Sequence, residues 1–356
     1  MASAAFSPDW ASAPGDTIAD ILRERGISIP EFGVQIGCTP EHVEDLLQGR
    51  AAITIAIARR LSEALGGSVE FWMSRDFQYR EDVARLEALR ATDREWLREL
   101  PLSDMVRFGW LKPAPRPNDE VAACLRFFDV PTVGAWRDAY RNLQQMAVFR
   151  TSPSFDSRPA AVAAWLRQGE IQADAIKCGV WNPGRFKGSL ASIRNLTRQK
   201  DPVRFIPLLR DICAESGVAV AVVRAPSGCR ASGATRFLSR TKTLLLLSFR
   251  YLSDDQFWFS FFHESGHLLL HEEQLFLEGM GDAPAKEEAE ANEFAARILV
   301  PPEALPSMLN LGARARDVIR FAMRLGVSPG VIVGQLQHYG RINRDELNGL
   351  KRRFSW

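Results

Sequence analysis

The chain has 356 residues, 46% apolar and 25% charged, with a formal net charge of +2. That length exceeds one small core and predicts two or three domains, and the composition excludes a disordered or fibrous chain. The charge balance is too small to point to nucleic acid or membrane, and LLLLSF at 244–249, the most apolar short run, is too short to cross a bilayer. The five cysteines, Cys38, Cys124, Cys178, Cys213 and Cys229, are scattered and never in CxxC spacing. They argue for a reducing, cytoplasmic setting and against disulfides or a cysteine-built zinc site. The opening MASAAFSPDWASAPGD has no basic start followed by an apolar run, so no export signal is expected.

Residues 1–80 read as a bundle of short helices. TIADILRERG ends on a glycine stop and ISIPEFGVQIG is a short helix. TPEHVEDLLQG has Thr39 as cap, Pro40 in its first turn and Gly49 as terminator. TIAIARRLSEALGG and VEFWMSRDFQYRED follow with apolar residues at helical spacing. Two short helices joined by a tight turn, with others packed on them, make a helix-turn-helix pattern. The run GRAAIT…A…LSEALG.S.EFW resembles the HigA-type antitoxin domain of the XRE class. The resemblance implies a regulator that binds DNA or a toxin.

A helix-turn-helix reads bases with the start of its second helix and needs positive charge around it. Here that helix carries Glu41, His42, Glu44 and Asp45, and residues 1–80 hold seven Lys/Arg against eleven Asp/Glu. Acidic groups repel phosphates, so the domain departs from DNA-reading relatives in the property that matters most. Thr39, Glu41, His42 and Arg50 are candidate contacts. Both DNA and a protein, either a toxin or a second copy of the chain in a homodimer, stand as partners.

Residues 81–200 read as a helical linking domain with a Pro-rich break at KPAPRPNDE (112–120). Trp110, Trp136, Trp165 and Trp181 are expected to fill a helical core, since aromatic rings mostly carry packing area. After 201 the texture changes. FIPLLRDICAESG is a helix, GVAVAVVRA a β-branched strand, and ATRFLSRTKTLLLLSFR two strands around a polar turn. Ser253 then opens a helix, with acids in its first turn and a glutamine three residues on. The predicted class is α+β, mostly helical, with a small antiparallel sheet.

That last helix contains HESGHLLLH, residues 263–271. His263 and His267, four apart, lie on one helix face where both imidazoles reach one ion. Glu264 sits about 100° round the helix, placed to take a proton from an activated water and return it to a leaving amine. A catalytic metal needs a third ligand. EEAEANEFAARILVPP (287–302) offers Glu288, 21 positions after His267 and on the same face as Asn292, with Glu287 and Glu290 as substitutes. The segment LFLEGMGDAPA (275–285) makes the turn back. His271 lies one turn too far along to join the same ion and is expected beside the ligands or at the surface.

FWFSFFHESGHLLLH followed by EEAEANEFAARILVPP resembles the ImmA/IrrE family of zinc metallopeptidases, over about 201–302. ASGATRFL (231–238) and LLLLSFRYLSDDQFWF match its strands and lead-in. The resemblance implies Zn2+ on His263, His267 and Glu288, with Glu264 as general base. It also implies a gluzincin-like fold whose strand edge holds the substrate backbone, and cleavage of a DNA-binding repressor or antitoxin-like protein that controls transcription or stress response. The alternative is an antitoxin or transcriptional regulator whose zinc domain serves sensing or structure.

The basic C-terminal tail, 303–356, holds nine Lys/Arg against four Asp/Glu, and ARDVIRFAMRLGVSPGVIVGQLQHYG suggests another helix-turn-helix. Its basic face is a nucleic-acid candidate or a solvated surface. His338 and Tyr339, with Asn292, are candidates to stabilise a tetrahedral oxyanion. Cys229, just before the strand that resembles the substrate edge, is a candidate inhibitory thiol.

Overall fold

The computed structural model describes residues 10–114, 116–141, 158–271, 276–277 and 285–356. The opening nine residues and most of the 275–285 connection therefore lie outside the described residues. The chain divides into two units, Met1–Glu95 and Trp96–Trp356. No helix among the described residues is long and apolar enough to cross a membrane.

The first unit contains α1 (Pro14–Arg25), α2 (Ile29–Ile36), α3 (Pro40–Leu47), α4 (Ile55–Leu65) and most of α5 (Val69–Glu99). Ser28 and Glu31 form a capping box that starts α2. Gly37, at φ 59°, turns the chain from α2 toward α3, and the Thr39 hydroxyl accepts the His42 N–H at 3.3 Å to begin α3. Ile18, Phe32, Ile36, Val43, Leu61 and Trp72 are buried together beneath this helix-turn-helix. On the outer side of α3, Glu41 and Glu44 are exposed, and Asp45 pairs with Arg50 at 2.6 Å.

The second unit is built on one mixed sheet of β1 (Val218–Val222), β2 (Gly233–Ser239), β3 (Lys242–Leu247) and β4 (Phe276–Leu277), in the order β1-β3-β2-β4. The expected hairpin is β2–β3, but β1 pairs with β3 in parallel, Val218 opposite Thr243. The sheet is thus mixed and not antiparallel. The physical reason is the crossover from β1, which brings β2 in on the far side of β3. Alternate residues feed two cores. Val218, Val220, Leu245 and Leu247 face one, and Ala219, Ala221, Leu244 and Leu246 face the other. Burial on both faces explains the unbroken apolar runs VAVAV and TLLLL.

On one face lie α6 (Leu102–Arg107), α7 (Pro117–Phe128), α8 (Val133–Ala139) and α9 (Pro159–Ala175). Trp136 and Trp165 are buried there, Trp110 packs at the edge of the same cluster, and Trp181 packs against the other one. Trp165 donates Nε1–H to the Val223 carbonyl at 3.1 Å. On the other face lie α10 (Pro183–Leu196), α11 (Pro202–Ala214) and the histidine helix α12 (Asp254–Leu270). The same core takes in α13 (Ala285–Leu299), α14 (Leu305–Leu309), α15 (Ala315–Leu325) and α16 (Pro329–His338).

Helices after residue 95 lay their apolar faces on the sheet, within the same unit as the histidine helix. The basic tail packs into this unit as well. Val331, Ile332, Val333 and Leu336 bury α16 in the core, so the second helix of that predicted helix-turn-helix has no free face for a nucleic acid. The positive residues Arg316, Arg320 and Arg324 lie on the exposed side of α15.

Candidate metal centre

Helix α12 is held by apolar contacts nearly all round, through Phe257, Trp258, Phe261, Phe262 and Leu268. Its start is not capped by the Ser253 hydroxyl as the sequence pattern predicts. Asp254 and Asp255 are buried instead. The Asp254 carboxylate accepts the Ser328 hydroxyl at 2.7 Å and the Arg352 N–H at 2.9 Å. Asp255 pairs with Lys351 at 2.7 Å. A buried carboxylate is tolerated when it is hydrogen-bonded or paired, and the Arg352 carbonyl accepts the Asp254 N–H at 3.0 Å, the acceptor that the serine does not supply. Gly330 and Gly334 of α16 let the two acids approach where a Cβ would collide.

Helix α13 crosses α12 at Gly266, where an added Cβ would lie 3.1 Å from Ala291 Cα and 3.2 Å from Phe294 Cδ1. This close approach carries Glu288 to the histidines. The Nε2 atoms of His263 and His267 are 3.0 Å apart, and the Glu288 carboxylate lies 3.5 Å from the first and 3.3 Å from the second. A tetrahedral site with bonds near 2.0–2.1 Å has donor separations of about 3.3 Å. The three residues therefore fit a divalent ion, and among the described residues they are the group whose donor atoms converge within 4.8 Å.

The outer ring nitrogens are also engaged. His263 Nδ1 lies 3.1 Å from Asn292 Oδ1 and donates its proton there, which leaves the Nε2 lone pair facing inward. His267 Nδ1 lies 3.0 Å from His271 Nδ1, and His271 Nε2 lies 3.1 Å from Glu290 Oε2. A protonated Nδ1 on each of these two histidines turns two lone pairs toward one point, an arrangement that a cation would resolve. Burial, with its neighbour His267, lowers the His263 pKa from 6.5 to about 4, so the ring is neutral and ready to ligate. Burial raises the Glu288 pKa, but the His267 hydrogen bond and both histidines outweigh it and hold the carboxylate below its ordinary range.

Glu264 is fully buried, against the start of β2. A Cβ added to Gly233 would lie 2.6 Å from Glu264 Oε1 and 2.7 Å from its Cγ. Neither Gly233 nor Gly266 stands out in the sequence as a site residue. The signal present was a glycine inside HExxH and another opening a strand.

Other predicted positions fall elsewhere. Cys229 packs in the core on the far face of the sheet from α12, and burial pushes its thiol up to about 12. It is a neutral packing group and not a ligand in reserve. Glu290 turns to His271 and not to the ion position. His338 and Tyr339 are exposed at the end of α16, with ring centroids 5.2 Å apart. His338 lines a cavity of about 300 Å³ with Asn292 and Phe259. The β2 edge that the resemblance assigns to substrate is paired with β4 at Ala234 and Thr235.

Known proteins share parts of this chain. The model of the Peptidase_M78 family, the IrrE N-terminal-like domain, matches residues 216–336. An uncharacterized HTH-type transcriptional regulator, YddM, of Escherichia coli (strain K12) is 36% identical over 61 residues, 17% of this chain and 65% of that protein. That match lies in the N-terminal region. A crystal structure described as an antidote protein of a plasmid maintenance system from Nostoc punctiforme aligns with 28% identity and a TM-score of 0.21, covering 25% of this chain and 92% of its own. Residues 216–336 are thus an IrrE N-terminal-like domain of the Peptidase_M78 family, carried behind a helix-turn-helix unit similar to an HTH-type transcriptional regulator.

Proposed function

We propose that the chain is a regulatory zinc-dependent endopeptidase whose substrate is a repressor or antitoxin-like protein. The observation that carries the reading is the convergence of His263 Nε2, His267 Nε2 and the Glu288 carboxylate beside a buried Glu264 on the same helix. Zinc bound by those three residues supplies Lewis acidity toward a water and a peptide carbonyl. Glu264 takes a proton from the attacking water on its carboxylate and returns it to the leaving amine. Asn292 orients His263 through its Nδ1–H, and Glu290 and His271 orient His267 in the same way. The β2 edge beyond Thr235 has no partner strand among the described residues and supports extended binding of a peptide backbone.

The helix-turn-helix unit supports a regulatory setting and a second reading, a toxin- or DNA-binding regulator with a structural metal. The exposed acids of α3 favour a protein partner over DNA. Metal analysis of the purified chain separates the main outcomes. One zinc per chain, lost in His263→Ala and in Glu288→Ala, supports the centre. Cleavage of a co-expressed repressor that stops in Glu264→Gln while zinc remains supports the enzyme. A zinc-loaded protein with no Glu264-dependent cleavage of any such partner leaves the binding reading.

A further inference from the structure

We infer that Gly233 is the positioning residue for Glu264: its missing side chain forms the recess that fixes the carboxylate of the proposed base. This deepens the peptidase reading and rests on it for its catalytic meaning, though not for its geometry. The backbone of Gly233 is ordinary strand, paired antiparallel with Leu247, and its φ lies outside the left-handed region. Conformational freedom is therefore not what this position requires of glycine. Space is. An added Cβ would meet Oε1, Cγ and Cδ of Glu264 at 2.6, 2.7 and 3.0 Å.

A clash with Oε1 alone is relieved by turning the carboxylate about its last torsion. A clash with Cγ is not, because Cγ moves only when the inner torsions or the backbone move. Glu264 is fully buried where it meets Gly233, and Thr235, two residues on in β2, and Ser265, next along the helix, are buried as well. Close packing of this kind transmits displacement instead of absorbing it. A methyl group at 233 therefore drives the carboxylate from its place while His263, His267 and Glu288, on the other contacts of α12, keep theirs.

The test is a double-mutant cycle read by thermal unfolding of the full chain, which needs no substrate. Gly233→Ala lowers Tm by about 5 °C, as overpacking of a buried site does in a unit of this size. In a Glu264→Ala background, where the obstructing side chain is gone, the same change shifts Tm by less than about 1 °C or raises it, since alanine suits a strand better than glycine. If Gly233→Ala is too unstable to purify, recovery of a folded protein in the double variant is the same result. Equal losses in both backgrounds, or a double variant that also fails to fold, would overturn the proposal.

The catalytic arm uses zinc-loaded protein and fluorescein-labelled casein as probe. Gly233→Ala keeps one zinc per chain and a KM within about threefold, and its kcat falls about 100-fold, the scale for a group displaced by about an ångström. Full kcat in Gly233→Ala would overturn the positioning role. Casein cleavage that persists in Glu264→Gln sinks the peptidase mechanism instead, and the unfolding cycle still decides the geometry.

Discussion

Gly266 and Ala291 touch backbone to backbone: a Cβ on the glycine would lie 3.1 Å from the alanine Cα. The histidines reach the ion position from one helix and Glu288 from the other, so this contact sets the width of the centre. Gly266→Val is expected to force the helices apart and weaken zinc binding more than tenfold, because Glu288 no longer closes the triad. Competition with a chromogenic chelator measures it. Unchanged affinity would mean that the helices re-pack without moving the carboxylate.

Asn292 and His271 hold the far nitrogens of the two ligand histidines. Replacing either with alanine is expected to lower metal affinity about 10–100-fold, the usual scale for partners of ligating histidines. His338→Ala serves as the control. It lines the neighbouring cavity, and the affinity of the variant is expected to match that of the unaltered chain.

The metal-free protein has a pH signature. The His263 pKa is depressed to about 4 by burial, with His267 adding to it, while the same imidazole in the unfolded chain titrates near about 6.5. A histidine with a depressed folded pKa contributes stability that is present above about pH 6.5 and is lost as pH falls toward about 4, since only the unfolded chain takes up the proton. Urea midpoints of chelated protein between pH 7 and 4.5 read it directly, and a His263→Phe variant is expected to flatten the curve.

Lys351 is the cationic partner of Asp255, whose side chain is 3% exposed. Lys351→Met leaves that carboxylate buried without its charge partner, and is expected to cost roughly 3 kcal/mol. Adding Asp255→Asn is expected to recover most of the loss, which denaturant unfolding detects. A single variant as stable as the parent would mean that water reaches Asp255.

The exposed Glu41 and Glu44 predict that residues 10–95 do not retard duplex DNA at physiological salt. Electrophoretic titration tests it, and retardation that fades steeply with salt would restore a DNA-reading role to the unit.

The histidine pair, Glu264 and the helix-turn-helix were legible in the sequence because each depends on local spacing, whereas Glu288 showed only as one of three acids, with Glu287 and Glu290, on the next predicted helix. Four residues bring His263 over His267, and a capping serine, a proline and a glycine (Ser28, Pro30 and Gly37) bound α2. What was not legible depends on partners distant in the chain. Nothing near Cys229 says that it packs beyond the sheet, and nothing in the basic count of the tail says that α16 is buried. The run VAVAV fits a strand in either direction, so the parallel pairing with β3 waits on the crossover. Gly233 and Gly266 look like ordinary glycines until the atoms they make room for are known.

The clasp between Asp254 and Arg352 joins positions 98 residues apart, and it bears on the order in which the protein is made. A nascent chain that has reached Pro302 already carries His263, Glu264, His267 and Glu288. It lacks Ser328, Lys351 and Arg352, which satisfy the two carboxylates at the start of the same helix. Synthesis thus delivers the candidate ligands before the groups that clasp the start of their helix.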